Sequence, residues 1–446
     1  MKVKFLGAAR TVTGSSYLLT ANSGEQILID LGMFQGPPEI DNLNYQPLQL
    51  DAKRLSGAIL THAHLDHCGR LPVLEKTGFT GNIYLTAPTA ELTELSLIDS
   101  AKIGYEDHPE KILYDKNDVL NLVRRFKSVE YDKEFYIGGF KIIYRDAGHI
   151  IGSASMEITV DGQKIVFSGD LGNTPEDLVQ PTELVKSADI VVMESTYGDR
   201  LHPAGDAVDI IKTEINCVEQ SRSTLLIPAF SLERTQELLH IISHLKTQKL
   251  VRPETLVYMD SPMAQKATII YEKYKSFMNI ELRRDFMNSD PFEFPGLQII
   301  RDRQDSTKIE QTNGTKVIIA GSGMMTGGRI IEHARQYLPM TSTRLLFVGY
   351  QGEGTLGRQL LMGEKNVRLG KQQIHVSAQV NETQVMSSHA DQRQLLNWLK
   401  AIYGVKKVIL THGEDGPRTV LADKIKAELG ISDISMPVLN QEIVLQ

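Results

Sequence analysis

Two cysteines, Cys68 and Cys217, are all that 446 residues contain. They do not make a disulfide framework, and a reducing, cytoplasmic setting is the expectation. No apolar run reaches the roughly 18 residues that a membrane-spanning helix needs, so no membrane partner is expected. The opening Met1-Lys2-Val3-Lys4-Phe5-Leu6-Gly7 is too short in its apolar part for a secretion signal and reads as a first strand entering a glycine turn. Internal repeats, heptads and low-complexity stretches are missing too. Neither sign of charge dominates: 48 Lys plus Arg stand against 55 Asp plus Glu, a net charge of −7. A strongly basic surface is thereby excluded, although a local basic groove is not. With 41% hydrophobic and 23% charged residues the composition is globular, and the length points to two domains or more.

The first 200 residues are rich in short apolar strands. Val3 to Leu6, Ser15 to Leu19, Gln26 to Ile29, Gly57 to Leu60, Phe140 to Tyr144, Ala154 to Val160 and Lys164 to Ser168 are expected strands, with turn chemistry at Asn22-Ser23-Gly24 and Asp161-Gly162. After about residue 205 the rhythm changes to strands alternating with helices, the pattern of crossover units around a mostly parallel sheet. Within it, a helix is expected over Ser231 to Leu245 with Ser231 as its cap. The stretch Met287 to Asn313, with Pro291, Pro295 and Gly296, is expected to be a surface loop or short hairpin. A short strand is expected at Thr383 to Met386 and a last helix over Thr419 to Leu429.

The decisive segment is Thr61-His62-Ala63-His64-Leu65-Asp66-His67-Cys68-Gly69, directly after an apolar strand. Three histidines and an aspartate in six residues are hard to place in a core. Imidazole with carboxylate suits zinc, with manganese or iron as alternatives. Further candidates also close apolar runs: His149 in Asp146-Ala147-Gly148-His149, Asp170 after Ile165-Val166-Phe167-Ser168-Gly169, and His412 after Val408-Ile409-Leu410-Thr411. Two glycine-rich turns lead from strands toward helices, Gly321 to Arg329 and Gly349 to Arg358, and their amides suit phosphate. Neither is a P-loop, because no Lys-Ser/Thr pair follows. Ser231 and Arg234 stand where a third such seat would lie.

His62-Ala63-His64-Leu65-Asp66-His67 resembles the signature of the metallo-β-lactamase superfamily. Asp30 in Leu28-Ile29-Asp30-Leu31-Gly32 resembles its first motif, His149 its third and Asp170 its fourth. Glu194 in Glu194-Ser195-Thr196-Tyr197-Gly198, His389 in Ser387-Ser388-His389-Ala390-Asp391 and His412 in Thr411-His412-Gly413-Glu414 resemble motifs A, B and C of the β-CASP nuclease branch, cleavage and polyadenylation endonuclease-like proteins in particular. Seven motifs in order cover essentially the whole chain.

The resemblance implies an α/β architecture: a metallo-β-lactamase αββα sandwich built from 1–205 and 385–446, with a β-CASP domain, a mostly parallel sheet flanked by helices, inserted at 206–384. It implies two zinc ions per chain. His62, His64 and His149 would hold one, Asp66, His67 and His412 the other, and Asp170 would bridge. Asp30 would orient a histidine ligand. His389, Glu194 and Asp66 form the implied catalytic set, with His389 the general acid that Glu194 orients. Ser231, Arg234, Gly323, Thr326, Gly327, Gly328, Arg329, Gly352, Gly354 and Arg358 are the expected substrate contacts. The implied activity is metal-assisted hydrolysis of single-stranded RNA, endonucleolytic rather than exonucleolytic, in RNA processing or decay, with a homodimer allowed. His412 favours RNA, because DNA-processing members usually carry an apolar residue at motif C. The lactamase-type domain alone would also permit hydrolysis of a thioester or lactone, a reading that the glycine-rich insertion disfavours.

Overall fold

The computed structural model describes residues 1–107, 109–174, 177–352 and 354–445. The chain divides into two compact units, Met1–Leu201 with Ser388–Gln446, and His202–Ser387.

In the first unit, short strands with nearly every side chain buried build two seven-stranded sheets. One runs in the order Glu442–Val444, Lys2–Phe5, Tyr17–Thr20, Gln26–Ile29, Leu55–Ile59, Asn82–Thr86, Phe126–Val129. The other runs Asp433–Ser435, Lys407–Leu410, Ile190–Met193, Gln163–Phe167, Ala154–Val160, Phe140–Asp146, Phe135–Ile137. Alternation along the strands sorts side chains to two faces. Val3, Phe5, Ile27, Ile29 and Ile59 of the first sheet share one buried cluster with Ile142, Met156, Ile158, Phe167 and Ile409 of the second. Each such side chain removed from water contributes about 1.5–3 kcal/mol. On the outer faces, Leu28 and Leu85 pack with Leu97, Val119 and Leu122 of two helices, while Val191 and Leu410 pack with Leu395, Trp398, Leu421 and Ile425 of two others. The result is an αββα sandwich.

The 26–29, 55–59 and 82–86 strands are parallel, as are 163–167, 190–193 and 407–410. Residues that follow their carboxyl ends therefore collect together. Two glycines tighten that collection. A Cβ on Gly32 would lie 1.6 Å from the carbonyl oxygen of Asp66, and one on Gly172 would lie 1.6 Å from that of Gly148. Only hydrogen fits between these loops.

The second unit is built on a six-stranded sheet in the order Leu297–Ile299, Leu256–Asp260, Lys316–Ala320, Thr224–Pro228, Arg344–Phe347, Gln379–Glu382, parallel throughout, with a separate antiparallel pair, Asn366–Leu369 and Gln372–His375. Three local expectations are corrected here. The helix expected from Ser231 begins at Arg234, and the residue before it, Glu233, has a φ of 64° and makes no side-chain cap. Ser231 does not cap it, because its hydroxyl is engaged by Ser261 Oγ at 3.1 Å. The segment 287–313 holds an edge strand, Leu297–Ile299, and a helix, Arg303–Ile309. That strand is held by parallel pairing with Val257 to Met259 rather than by a pattern of its own. The short strand expected at 383–386 lies earlier, at Gln379–Glu382.

Candidate metal centre

The strand Leu55–Ile59 ends beside Asp30, and the chain then turns. Asp30 is buried and spends both oxygens on this turn: it accepts the Thr61 N–H at 2.8 Å and the Thr61 hydroxyl at 2.8 Å. His67 Nδ1 donates to the same carboxylate at 2.8 Å. The Thr61 oxygen, its own proton given to Asp30, accepts from His62 Nδ1 at 3.1 Å. His149 Nδ1 donates to the carbonyl of Ser388 at 3.0 Å. Thr196 donates its hydroxyl proton to the carbonyl of His412 at 3.3 Å and accepts from His412 Nδ1 at 3.0 Å. In four rings, then, Nδ1 carries the proton and Nε2 presents a lone pair, the tautomer a cation requires.

Those lone pairs converge in two groups. His62 Nε2 and His149 Nε2 lie 3.1 and 3.2 Å from His64 Nδ1. His67 Nε2 lies 3.2 Å from Asp170 Oδ1, and His412 Nε2 lies 3.3 Å from Asp66 Oδ2 and 3.7 Å from Asp170 Oδ1. The other oxygen of Asp170 faces the first group, 3.6 Å from His62 Nε2 and 3.8 Å from His149 Nε2. One carboxylate thus offers one oxygen to each group.

Electrostatics agree with that geometry. Burial pushes His62 and His149 well below the ordinary histidine range and His64 down to about 4, so all three rings are neutral donors near pH 7. Burial would raise Asp66 and Asp170, but the surrounding imidazoles outweigh it; Asp66 is held at about 2 and Asp170 well below its usual range. Burial opposes charge on His67 as well, yet Asp170 and Asp30 raise it, marking a place where the carboxylates demand positive charge. Asp170 Oδ1 is buried and has no hydrogen-bond donor. An orphaned anionic oxygen among inward lone pairs is costly unless a cation neutralises it. The residues fit a binuclear zinc-type centre: His62, His64 and His149 form one group able to hold an ion, and Asp66, His67, Asp170 and His412 form the other.

Beside the pair stands His389. Its Nδ1 meets Glu194 at 3.2 Å, and Glu194 is itself fixed by the Leu171 N–H at 2.6 Å. The His389 Nε2 edge lies 4.0 Å from Asp170 Oδ2, and the side chain keeps 21% of its surface exposed. Burial disfavours charge on this ring, but Glu194 more than compensates and lifts it to about 9.

In the second unit the expected substrate contacts gather at the carboxyl ends of adjacent parallel strands, where open α/β sheets bind ligands. Ser231 follows the 224–228 strand, Gly321 to Arg329 the 316–320 strand, and Gly349 to Thr355, residue 353 lying outside the described residues, the 344–347 strand. Gln351 Nε2 ties the last two turns together, donating to the carbonyls of Gly323 at 2.9 Å and Gly349 at 3.0 Å. Thr326 donates its N–H to Ser322 Oγ at 2.9 Å. Gly323 lies against the Phe230 ring, so that a Cβ there would come within 2.8 Å of it; Gly327 and Gly354 face open space, and Gly352 has only ordinary contacts. A Cβ on Gly328 would meet the Gly321 carbonyl at 2.3 Å. Arg358 sits exposed in the helix that Thr355 caps. Two arginines are committed elsewhere. Arg234 is buried in a pair with Glu237, and Arg329 pairs with Asp260 at 2.5 Å and with the Arg301 carbonyl at 2.9 Å. Asp260 also holds His333 at 2.7 Å and Ser306 at 2.5 Å.

Sequence reasoning missed Thr61, Thr196 and Ser388, which set the ring tautomers. The available signal was adjacency: each lies within two residues of a motif residue. It also missed Asp260 and Gln351, whose partners lie 69 and 28 residues away.

Three family descriptions match the chain: metallo-beta-lactamase superfamily over residues 9–211, Beta-Casp domain over 235–360, and Zn-dependent metallo-hydrolase RNA specificity domain over 373–437. Ribonuclease TTHA0252 of Thermus thermophilus is 36% identical over 93% of this chain and 94% of its own. RNase aCSPSF2 of Saccharolobus solfataricus is 32% identical over 99% of this chain and 85% of its own. A crystal structure of a protein of unknown function from Enterococcus faecalis aligns over 100% of this chain and 99% of its own with a TM-score of 0.56 at 11% identity, a likeness of fold. Histidine and aspartate groups at the strand ends of an αββα sandwich, a parallel-sheet insertion and kinship over nearly the full length agree: the chain belongs to the metallo-beta-lactamase superfamily, in the branch that carries a Beta-Casp domain.

Proposed function

We propose that this protein is a zinc-dependent ribonuclease that hydrolyses phosphodiester bonds within single-stranded RNA, in RNA processing or decay. The observation that carries the reading is the single carboxylate of Asp170, one oxygen toward each ligand group, with the His389–Glu194 pair at its edge. Relatives named as ribonucleases over most of their length support RNA as the substrate. A cytoplasmic setting is part of this reading, and the two free cysteines are compatible with it. Among the described residues no helix is long and apolar enough to cross a membrane.

His62, His64 and His149 would hold one ion and Asp66, His67 and His412 the other, with Asp170 offering one oxygen to each group and Asp30 orienting His67. Bound there, zinc would lower the pKa of a water nucleophile and offset the charge of the scissile phosphate. His389 donates its Nε2 proton to the departing ribose 3′ oxygen. Glu194 holds His389 through Nδ1, so that the ring faces the reacting bond with its proton in place. The glycine turns seat backbone phosphates on their amides at Gly323, Gly327, Gly328, Gly352 and Gly354, with the Thr326 and Ser231 hydroxyls and the Arg358 guanidinium beside them. Arg329, tied to Asp260, braces the 321–329 turn, while Arg234 is paired with Glu237 on its own helix.

Two measurements test this division of labour. Matched single strands of RNA and DNA, and an RNA hairpin burying the same site, are expected to be cleaved fastest as single-stranded RNA. Equal rates on all three would contradict the substrate assignment. Arg329→Ala, which deprives buried Asp260 of one partner, is expected to cost about 1–3 kcal/mol of stability and to lower RNA affinity as well. An unchanged melting temperature would show that Arg329 braces nothing.

A further inference from the structure

A second set of metal-ligand side chains lies in the other compact unit, away from every motif that marks the family. His240 and His244 are one turn apart on the helix Arg234–Thr247, so both rings leave the same face. Asp285 reaches them from a different helix, Ile280–Asn288. Asp285 Oδ2 lies 3.1 Å from His240 Nε2 and 3.0 Å from His244 Nε2, and the two Nε2 atoms are 3.0 Å apart. Three ligand atoms therefore form a nearly equilateral triangle.

Hydrogen bonding alone does not account for that triangle well. Two Nε2–H groups aimed at one oxygen bring their hydrogens close together. Should one ring accept from the other, the single remaining Nε2–H is shared between that ring and the carboxylate, and the accepting nitrogen's lone pair faces the anion. A cation resolves the conflict, because each atom then offers a lone pair to one centre. With metal–nitrogen bonds of about 2.0–2.1 Å, tetrahedral ligands lie roughly 3.3–3.4 Å apart, which these side chains reach by opening about 0.3 Å. His240 keeps 8% of its side-chain surface, while His244 and Asp285 keep 43% and 32%, so the fourth position opens to solvent. His244 lies in the last turn of its helix, whose C-terminal carbonyls favour a cation. The helix that supplies Asp285 buries only Leu282 of its own residues.

We propose that His240, His244 and Asp285 form an additional metal site for a borderline divalent cation, zinc foremost with cobalt or nickel able to replace it, which clips the 280–288 helix to the 234–247 helix. The site is independent of the proposed ribonuclease centre, so the experiment compares variants that leave that centre intact. Full-length protein is equilibrated with zinc, dialysed against metal-free buffer, and its zinc per chain measured by mass spectrometry, for wild type, His244→Ala and Asp285→Asn. Each variant is expected to hold one zinc fewer than wild type, with affinity for that ion lowered by more than about 100-fold and the rate of RNA cleavage unchanged. Cobalt added to wild type is expected to give more ligand-field absorbance than it gives His244→Ala, the difference being that of one site. His244 is partly exposed, so its loss leaves the fold intact; Asp285→Asn preserves shape should alanine unsettle the helix. Equal zinc content in wild type and both variants would overturn the site, and so would identical cobalt spectra.

Discussion

Asp170→Asn is expected to reduce RNA cleavage by on the order of a thousandfold or more. The substitution keeps the shape of the side chain and removes the one charge shared by both ligand groups. Oδ1 of Asp170 lies 3.2 Å from His67 Nε2 and Oδ2 lies 3.6 Å from His62 Nε2, so neither group is complete without it. An amide offers a neutral oxygen to one group and an N–H to the other, where that donor meets a ring lone pair instead of a cation. Zinc content should fall together with activity, while the circular dichroism spectrum stays that of a folded chain, because the sandwich core lies in a separate cluster of apolar side chains. An Asp170→Asn protein that keeps both its zinc and its rate would remove the carboxylate from the centre of the mechanism.

His389→Ala is expected to reduce cleavage of RNA by about 10²–10⁴-fold, the range over which a positioned general acid contributes. Its signature differs from that of Asp170→Asn. His389 is in neither of the two ligand groups, its Nε2 lying 4.0 Å from Asp170 Oδ2, so zinc should be retained. The loss should fall on kcat, with KM little changed, because the proton moves only in the transition state. A phosphodiester whose leaving group is a nitrophenolate needs no protonation, and the variant should hydrolyse it at nearly the wild-type rate. If instead RNA and the nitrophenyl ester lose activity equally, His389 acts through structure, its ring being packed 4.7 Å from that of His149, rather than as an acid. Glu194→Gln should follow the same pattern more weakly, since the amide still accepts from the Nδ1–H.

How far the sequence could be read depended on whether the information was local. The histidine run was legible because three histidines and an aspartate in six residues are hard to place in a core, and Asp30, His149, Asp170 and His412 were legible because each ends an apolar strand. Their mutual distances were not, since parallel strands whose paired residues lie 25 to 217 positions apart bring them together. The hydroxyls and carbonyl that choose the ring tautomers, Thr61, Thr196 and Ser388, look ordinary in sequence; their roles exist only once Asp30 and the rings are in place. Ser231 read as a helix cap because serine caps helices, but a tertiary partner, Ser261, engages its hydroxyl. Arg234 and Arg329 read as phosphate contacts because arginine near a helix start suits phosphate; Glu237 and Asp260 take up that charge. Glu442–Val444 pairing with Lys2–Lys4 joins the two ends of the chain, which no local pattern announces.

The most direct test of the centre as a zinc-dependent ribonuclease site is a strip-and-restore assay on one single-stranded RNA, labelled in turn at its 5′ and 3′ ends. The protein is freed of metal with a chelator, dialysed, and assayed before and after zinc is returned. The expected result is no cleavage by the stripped protein and, after zinc, internal fragments of matching length from either label. Undiminished cleavage by the metal-free protein, or a zinc-loaded and folded protein that leaves the RNA whole, would contradict it.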